Sequence, residues 1–163
     1  AAARHRVAML ELALAPHADL SVDDREVRRD GPSWMADTLI SLRDEVGDLP
    51  IMLCVGQDAA NGLDRWERWQ RLLELAHLVV MTRPDAPPEY SDTLHDHLQG
   101  RFVDQTEALM DQPAGRVCNV DVTRLAISST DIRNQLANHR NPRFLLPSTV
   151  LAYITKHGLY RGD

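Results

Sequence analysis

The stretch PIMLCVGQD, Pro50–Asp58, decides the fold class of this chain. Its first seven residues form a nearly continuous apolar run that ends at Gly56. Such a run is typical of a strand buried on both faces of a parallel sheet. A second apolar run, HLVVMTR at residues 77–83, and an alternating stretch, VCNVDV at residues 117–122, predict two further strands. LSVDD, at residues 20–24, is short and could be another.

Helical patterns separate these strands, so strand and helix alternate along the chain. Ser33 is a plausible N-cap and Gly47 a plausible stop for a helix through WMADTLISLRDEVG. The remaining predicted helices cover residues 4–15, 64–76, 129–138 and 148–157. The economical prediction is a doubly wound α/β domain with a parallel sheet covered by helices.

Length and composition limit the class of protein. The chain has 163 residues, of which 44% are hydrophobic and 26% charged, and this suits one globular domain. Residues 84–115 are polar and weakly periodic, so we interpret them as a surface insertion or flexible lid. The net charge of -6 argues against a long nucleic acid as the main partner.

The sequence also predicts the compartment. No apolar run approaches the length of a membrane span, and no signal peptide is visible. Cys54 and Cys118 lie in apolar or alternating stretches and are expected to be reduced core residues, which favours the cytoplasm. His95 and His97 lie in the polar segment without convincing metal-ligand spacing, so we expect them to be solvated.

LAISSTDIRNQL, at residues 125–136, carries hydroxyl groups just before an apolar helical pattern. With Ser128 as N-cap, Ser129 and Thr130 begin the helix and lie on the same face as Arg133. Free N–H groups, hydroxyls and a guanidinium at a helix start can bind phosphate. The alternative is a capped helix with a solvated arginine. Taken by itself, the stretch favours the capped helix.

Two further places could contact a ligand. Gly56 allows close backbone approach, and Asp58 can accept hydrogen bonds from ribose hydroxyls; a tight turn with Asp58 as helix N-cap explains them equally well. Trp66 could stack on a flat ligand, whereas Trp69 continues the apolar stripe of its helix and is expected in the core.

Several stretches together resemble one family, the nicotinate-mononucleotide adenylyltransferases of NAD biosynthesis. The matching pieces keep the family's order and spacing; they are DDREVRRDGPSWMADTL, VGQDAANGLDRWERW, LAHLVVMTRPD, ISSTDIRNQL and RFLLPSTVLAYITKHGLY. The resemblance implies a Rossmann-like fold and transfer of AMP from ATP to nicotinate mononucleotide, giving deamido-NAD and pyrophosphate. It also implies Mg²⁺ as the accompanying ion. A homo-oligomer is possible.

The resemblance also implies roles for individual residues. The ATP phosphates would be held by Ser128, Ser129, Thr130 and Arg133, the last three of which would act in catalysis. Gly56 and Arg83 would lie on the adenosine side. On the acceptor side, Asp58 would hold the ribose and Trp66 would stack on nicotinate.

Three departures from the family pattern bear on function. Met35 follows Trp34 where the family usually has a hydroxyl that helps hold the nicotinate carboxylate. Glu67 adds a negative charge beside Trp66, so a preference for nicotinate over nicotinamide is not fixed by these residues. The family's GGTFDP loop and H-x-G-H motif do not occur in this sequence.

We therefore expect the chain to be the carboxy-terminal three-quarters of such an enzyme, without the first strands of its sheet. By itself it should have little or no activity. The alternatives are a non-catalytic nucleotide-binding fragment and an adenylyltransferase with another acceptor, such as nicotinamide mononucleotide.

Overall fold

A computed structural model describes residues 1–82, 87–123 and 125–161. Four parallel strands form one sheet in the order β1-β2-β4-β3. The strands are β1 (Met52–Gly56), β2 (His77–Thr82), β3 (Phe102–Val103) and β4 (Val117–Asp121). The three strands that the sequence predicts are thus present and parallel, and the α/β Rossmann-like class is confirmed.

Eight α-helices accompany the strands in the described residues. They are α1 (Ala3–Leu14), α2 (Arg25–Arg28), α3 (Met35–Val46), α4 (Gln57–Ala60), α5 (Leu72–Leu75), α6 (Asp92–Leu98), α7 (Ser129–Ala137) and α8 (Ser148–Lys156). Short 3-10 helices cover Leu63–Arg65, Trp69–Arg71 and Thr106–Asp111. Gly47 ends α3 with a positive φ of 60°, as predicted.

The described chain forms two compact units. The larger unit, Asp30–Arg124, contains the sheet and α3 to α6, and the smaller unit joins Ala1–Arg29 to Leu125–Asp163. In the larger unit α3 packs against α5, while α4 and α5 pack against the sheet. In the smaller unit α1 packs against α8. One domain over residues 1–163 remains a prediction.

Arg43 fastens the amino-terminal side of the sheet. Its Nη1 donates to the carbonyl oxygens of Gly47 and Leu49, at 2.7 and 2.6 Å, and its Nη2 to those of Leu75 and Pro113, at 2.6 and 2.9 Å. One guanidinium thus binds the carbonyl oxygens of three loop residues and of Leu75, the last residue of α5, so the segments that precede β1, β2 and β4 are tied to the end of α3.

Residues 87–115 differ from the predicted surface insertion. They contain α6 and β3, and β3 pairs with β4. Leu94, Leu98 and Leu109 are each at most 1% exposed. The weak apolar periodicity of this segment is therefore core, because α6 turns only two of its seven residues inward. His95 is exposed as predicted, but His97 is half-buried and packs edge-on against Trp69.

Five local predictions are wrong. Residues 20–24 form no strand, and α3 begins at Met35 with Trp34, not Ser33, at its N-cap position. β1 is not buried on both faces, because the face that carries Met52 and Cys54 is left uncovered in the described residues, whereas Val55 on the other face is buried. Cys54 is therefore exposed, whereas Cys118 is buried as predicted. Residues 64–76 are not one helix.

Candidate functional site

The start of α7 has the predicted cap. Ser128 is its N-cap residue, and the Ser128 hydroxyl accepts a hydrogen bond from the backbone N–H of Asp131 at 3.0 Å. The same hydroxyl donates to Asp131 Oδ2 at 2.7 Å. Asp131 therefore folds back on the cap, an arrangement like the capping box although the acid is aspartate.

Arg133 lies against the same turn. Its Nη2 donates to the Thr130 hydroxyl at 3.1 Å, and both residues are exposed. Ser129, the first helical residue, is exposed as well. The guanidinium and the hydroxyls of the predicted phosphate site therefore lie together at the end of the helix whose dipole attracts anions.

A second group of candidates lies where β1 ends. Gly56 is the last residue of β1 and the N-cap residue of α4, so Asp58 is not the N-cap as the alternative had it. Gly56 has an ordinary extended conformation, with φ -74° and ψ 157°, and a Cβ there would meet no atom within 4 Å. Neither backbone nor packing demands glycine; the missing side chain leaves open space at the carboxyl end of the strand. Asp58 is exposed beside it.

Gln57, between these two, was missed by the sequence analysis. It is 1% exposed, and its Nε2 donates to Asn61 Oδ1 at 2.8 Å and to the Tyr90 hydroxyl at 3.3 Å. Asn61 in turn accepts from the N–H of Glu89 at 3.0 Å and donates to the carbonyl of Pro87 at 3.2 Å. This network fixes α4, and with it Asp58, against residues 87–90. The signal in the sequence was the spacing of Gln57 and Asn61, four residues apart, at which two side chains on one turn of helix can meet.

The third group joins the start of α3 to the turn after the first 3-10 helix. Trp34 is 44% exposed, whereas Met35 and Trp66 are half-buried against the core and Glu67 is exposed. Arg68 has a left-handed conformation, with φ 54°, and this breaks the helix expected over residues 64–76.

An ion pair connects these two segments. Arg68 Nη2 lies 2.5 Å from Asp37 Oδ1, in the first turn of α3. Trp69 is 9% exposed, so the prediction that it belongs to the core is confirmed. Trp66 and the start of α3, both predicted to contact nicotinate, are thus tied by a contact that the sequence analysis did not identify.

A polar pair also marks the carboxyl ends of β2 and β4. Thr82 and Asp121 are partners in the strand register, and the Thr82 hydroxyl donates to Asp121 Oδ1. Arg83, predicted on the adenosine side, follows Thr82 and lies outside the described residues.

The described residues contain no group of three or more His, Cys, Asp or Glu side chains that could hold a metal ion. No helix of the described chain is long and apolar enough to span a bilayer.

Comparison with known protein families gives one consistent result. A model of the cytidylyltransferase-like family matches residues 1–135. The chain is 44% identical over 161 residues to a probable nicotinate-nucleotide adenylyltransferase of Acidithiobacillus ferrooxidans, covering 98% of this chain and 74% of that protein. It is 46% identical over 161 residues to a protein of the same name from Pseudomonas syringae pv. tomato, covering 98% of this chain and 72% of the relative.

Solved structures resemble this fold at much lower identity. A Plasmodium falciparum nicotinic acid mononucleotide adenylyltransferase, complexed with APC, superposes with a TM-score of 0.67 and 14% sequence identity. The match covers 97% of this chain and 75% of that one. At this identity the likeness shows the fold alone.

Proposed function

The chain belongs to the nicotinate-nucleotide adenylyltransferases, within the cytidylyltransferase-like family, and we propose the residues through which it serves their reaction. The reaction transfers AMP from ATP to nicotinate mononucleotide and gives deamido-NAD and pyrophosphate. Its place is NAD biosynthesis. The observation that carries the residue assignment is the joint placement of Ser128, Thr130 and Arg133 at the exposed start of α7.

On this proposal the start of α7 binds the ATP phosphates. Ser129 and Thr130 supply hydroxyl and backbone donors, and Ser128 supplies its backbone and the cap that orients them. Arg133 supplies a guanidinium already held beside Thr130. Donors fixed before the substrate arrives stabilise developing charge without reorganisation. Arg133, Ser129 and Thr130 are therefore our candidates for catalytic residues, and Gly56 and Arg83 for the adenosine side.

The acceptor side is assigned to the larger unit. Asp58 would accept hydrogen bonds from ribose hydroxyls, and Trp66 would stack on the pyridine ring. Trp34, Met35 and Glu67 would surround the ring substituent. The Gln57 network supports Asp58 from behind, and the Asp37–Arg68 ion pair supports Trp66.

The chemistry requires alignment more than proton transfer. A phosphate oxygen of nicotinate mononucleotide attacks the α-phosphorus of ATP, the bond between the α- and β-phosphates breaks, and pyrophosphate leaves with the electron pair. The attacking oxygen is already largely ionised at neutral pH, because the second pKa of a phosphate monoester is about 6. No general base or covalent intermediate is needed, and the work of the protein is positioning and charge stabilisation.

Nucleotidyltransferases generally use a divalent metal ion with ATP, and we propose that this ion is Mg²⁺. The donor set fits an ion carried by the substrate: the described residues offer no three-ligand protein cage, and Mg²⁺ commonly binds through substrate phosphates and few carboxylates. A cytoplasmic location, homo-oligomerisation and the lack of a nucleic-acid or membrane partner likewise remain proposals.

Arg133→Ala tests the phosphate assignment through ATP binding. We expect at least about tenfold weaker ATP affinity by calorimetry, because a charge-assisted hydrogen bond to phosphate is lost. Arg133→Lys should retain part of the affinity, since it keeps the charge but loses the planar donor geometry. Arg143→Ala removes the same charge away from α7 and is the control. Unchanged ATP affinity in Arg133→Ala would show that residues 125–136 form a capped helix and not a phosphate site.

Two alternative functions, another acceptor and nucleotide binding without catalysis, can be tested separately. Met35 and Glu67 favour nicotinamide mononucleotide as a second acceptor, because neither offers the carboxylate a donor. Equal or tighter binding of nicotinamide mononucleotide than of nicotinate mononucleotide would support it. A non-catalytic nucleotide-binding chain would bind ATP without turnover. Because the 163-residue chain by itself is expected to have little or no activity in either case, pyrophosphate release is compared between this chain and one that also carries the GGTFDP loop and the H-x-G-H motif at its amino end. Release by neither would support this alternative.

A further inference from the structure

Charge is distributed unevenly along this acidic chain. The protein has 24 Asp and Glu against 18 Lys and Arg, yet no acidic residue occurs between Asp131 and Asp163. That interval holds four arginines and the only lysine of the chain. A local positive field on a protein of net charge -6 attracts small anions to one place.

Part of this basic segment encloses a cavity within the smaller unit. The cavity has a volume of about 450 Å³ and lies between the end of α7, the following loop and α8. Leu136, Leu151, Ile154 and Leu159 give it an apolar wall. The volume lies in the range of pockets that bind small molecules, and the lining is mixed, with these apolar side chains facing polar and basic ones.

Basic side chains also line this cavity. His139, Arg140 and Arg161 line it, and each is exposed. Neither arginine has a carboxylate partner within the described ranges; Arg161 Nη2 makes one long contact, 3.5 Å, with the Thr155 carbonyl. Two guanidinium groups without a carboxylate partner among the described residues, beside an apolar wall, suit a ligand with a flat ring and a phosphate group.

The dipole of α7 explains part of this charge but not all of it. His139 and Arg140 follow the carboxyl end of α7, where cations are favoured. Arg161, however, lies five residues beyond the end of α8 and still lines the cavity. Cap stabilisation does not account for both arginines on one cavity.

The cavity is separate from the start of α7. Ser128 and Arg133 do not line it, and the nine residues of α7 place its two ends about 13 Å apart. We propose that this cavity is a second anion site, which binds a ring-bearing phosphate compound of nucleotide size through Arg140 and Arg161. It is independent of the phosphate site proposed at Ser128.

ADP is the probe, titrated by calorimetry into the whole chain carrying Arg133→Ala, so that binding at the start of α7 is weakened. We expect binding to persist in this background and to fall about tenfold when Arg140→Ala or Arg161→Ala is added, since each removes a charge-assisted contact. Amide resonances of residues 136–140 and 155–161 should shift on addition of ADP. Circular dichroism and thermal unfolding of each variant confirm that the exposed substitutions leave the fold intact.

Lys156→Ala is the matched control, because it removes one positive charge from α8 without lining the cavity. It should change ADP affinity by less than about twofold, as expected for a screened charge at a distance. Pyrophosphate and adenosine separate the two parts of the ligand, and each should bind more weakly than ADP. The proposal is overturned if Arg140→Ala and Arg161→Ala bind ADP as their parent does, if Lys156→Ala weakens binding equally, or if adenosine alone binds as tightly as ADP.

Discussion

Asp37→Asn should weaken binding of nicotinate mononucleotide although Asp37 is not proposed to touch it. The carboxylate pairs with Arg68 at 2.5 Å, and Arg68 is held in a left-handed conformation two residues after Trp66. Asparagine keeps the shape of the side chain but removes its charge. Without the ion pair the strained turn can relax, and the Trp66 ring loses its fixed position relative to the start of α3.

The magnitude follows from the exposure of the pair. The Arg68 and Asp37 side chains are 40% and 35% exposed, so solvent and salt screen the attraction, and such a pair contributes about 0.2–1 kcal/mol. If the ordered turn is the form that binds, its population falls by the same free energy, and affinity falls by up to about fivefold. The melting temperature should drop by no more than about 4 °C.

Quenching of tryptophan fluorescence during titration with nicotinate mononucleotide measures the affinity. Glu74→Gln is the control, since it breaks the exposed Arg71–Glu74 ion pair, 2.7 Å long, with the same change of charge. Arg68→Ala and the double variant complete a double-mutant cycle. Its coupling energy should match the binding free energy lost in Asp37→Asn, and this coupling energy should decrease at high salt. A zero coupling energy, or equal affinity in Asp37→Asn and Glu74→Gln, would refute the positioning role.

Three further predictions concern stability, measured by urea unfolding. Leu94→Ala should lower the free energy of unfolding by about 2–5 kcal/mol, because this side chain of α6 is 0% exposed. Met110→Ala, at a 63% exposed position, should lower it little. Similar losses in the two variants would support the surface insertion that the sequence predicts for this segment. Ser128→Ala should lower the free energy of unfolding by about 1 kcal/mol through the lost cap, and Ser21→Ala, at an exposed position outside any helix, is its comparison. Burial lowers the pKa of His97, whose Nε2 is buried without a hydrogen-bond partner. The unfolded chain therefore takes up the proton first, and stability should decline as pH falls below about 6.5. His97→Gln should flatten that decline, and an unchanged pH profile would exclude His97 as its source.

The parallel sheet was predictable because its strands are apolar runs with clear ends. Residues 50–56, 77–83 and 117–122 each gave a strand within a residue or two of the observed bounds. Caps that depend on sequence-local chemistry, such as Ser128 and Gly47, were predictable for the same reason. In each case neighbouring residues alone determine the outcome.

The predictions that failed depend on contacts between residues that are distant in the sequence. Arg68 breaks a good helical pattern because Trp69 must reach the core while Arg68 reaches Asp37, and neither requirement is visible locally. The spacing of Leu94 and Leu98, four residues apart, is equally common on a helix at the surface. Only the packing of α6 against the rest of the larger unit places both side chains in the core. The spacing of Gln57 and Asn61 was visible in the sequence, but the burial of Gln57 depends also on Tyr90, 33 residues away, and that contact was not.

A capped helix and a phosphate site, which the sequence presented as alternatives, are compatible at the start of α7. The Ser128 hydroxyl occupies one backbone donor, the N–H of Asp131, while a helix start has four such groups. The same bond holds the Asp131 carboxylate at the cap, and Arg133 remains exposed beside Thr130. The cap thus fixes the direction of the remaining donors instead of consuming them. It follows that Ser128→Ala should weaken ATP binding more than its loss of stability alone explains, whereas Asp131→Asn, which keeps a short polar side chain but removes a negative charge near the phosphates, should strengthen it.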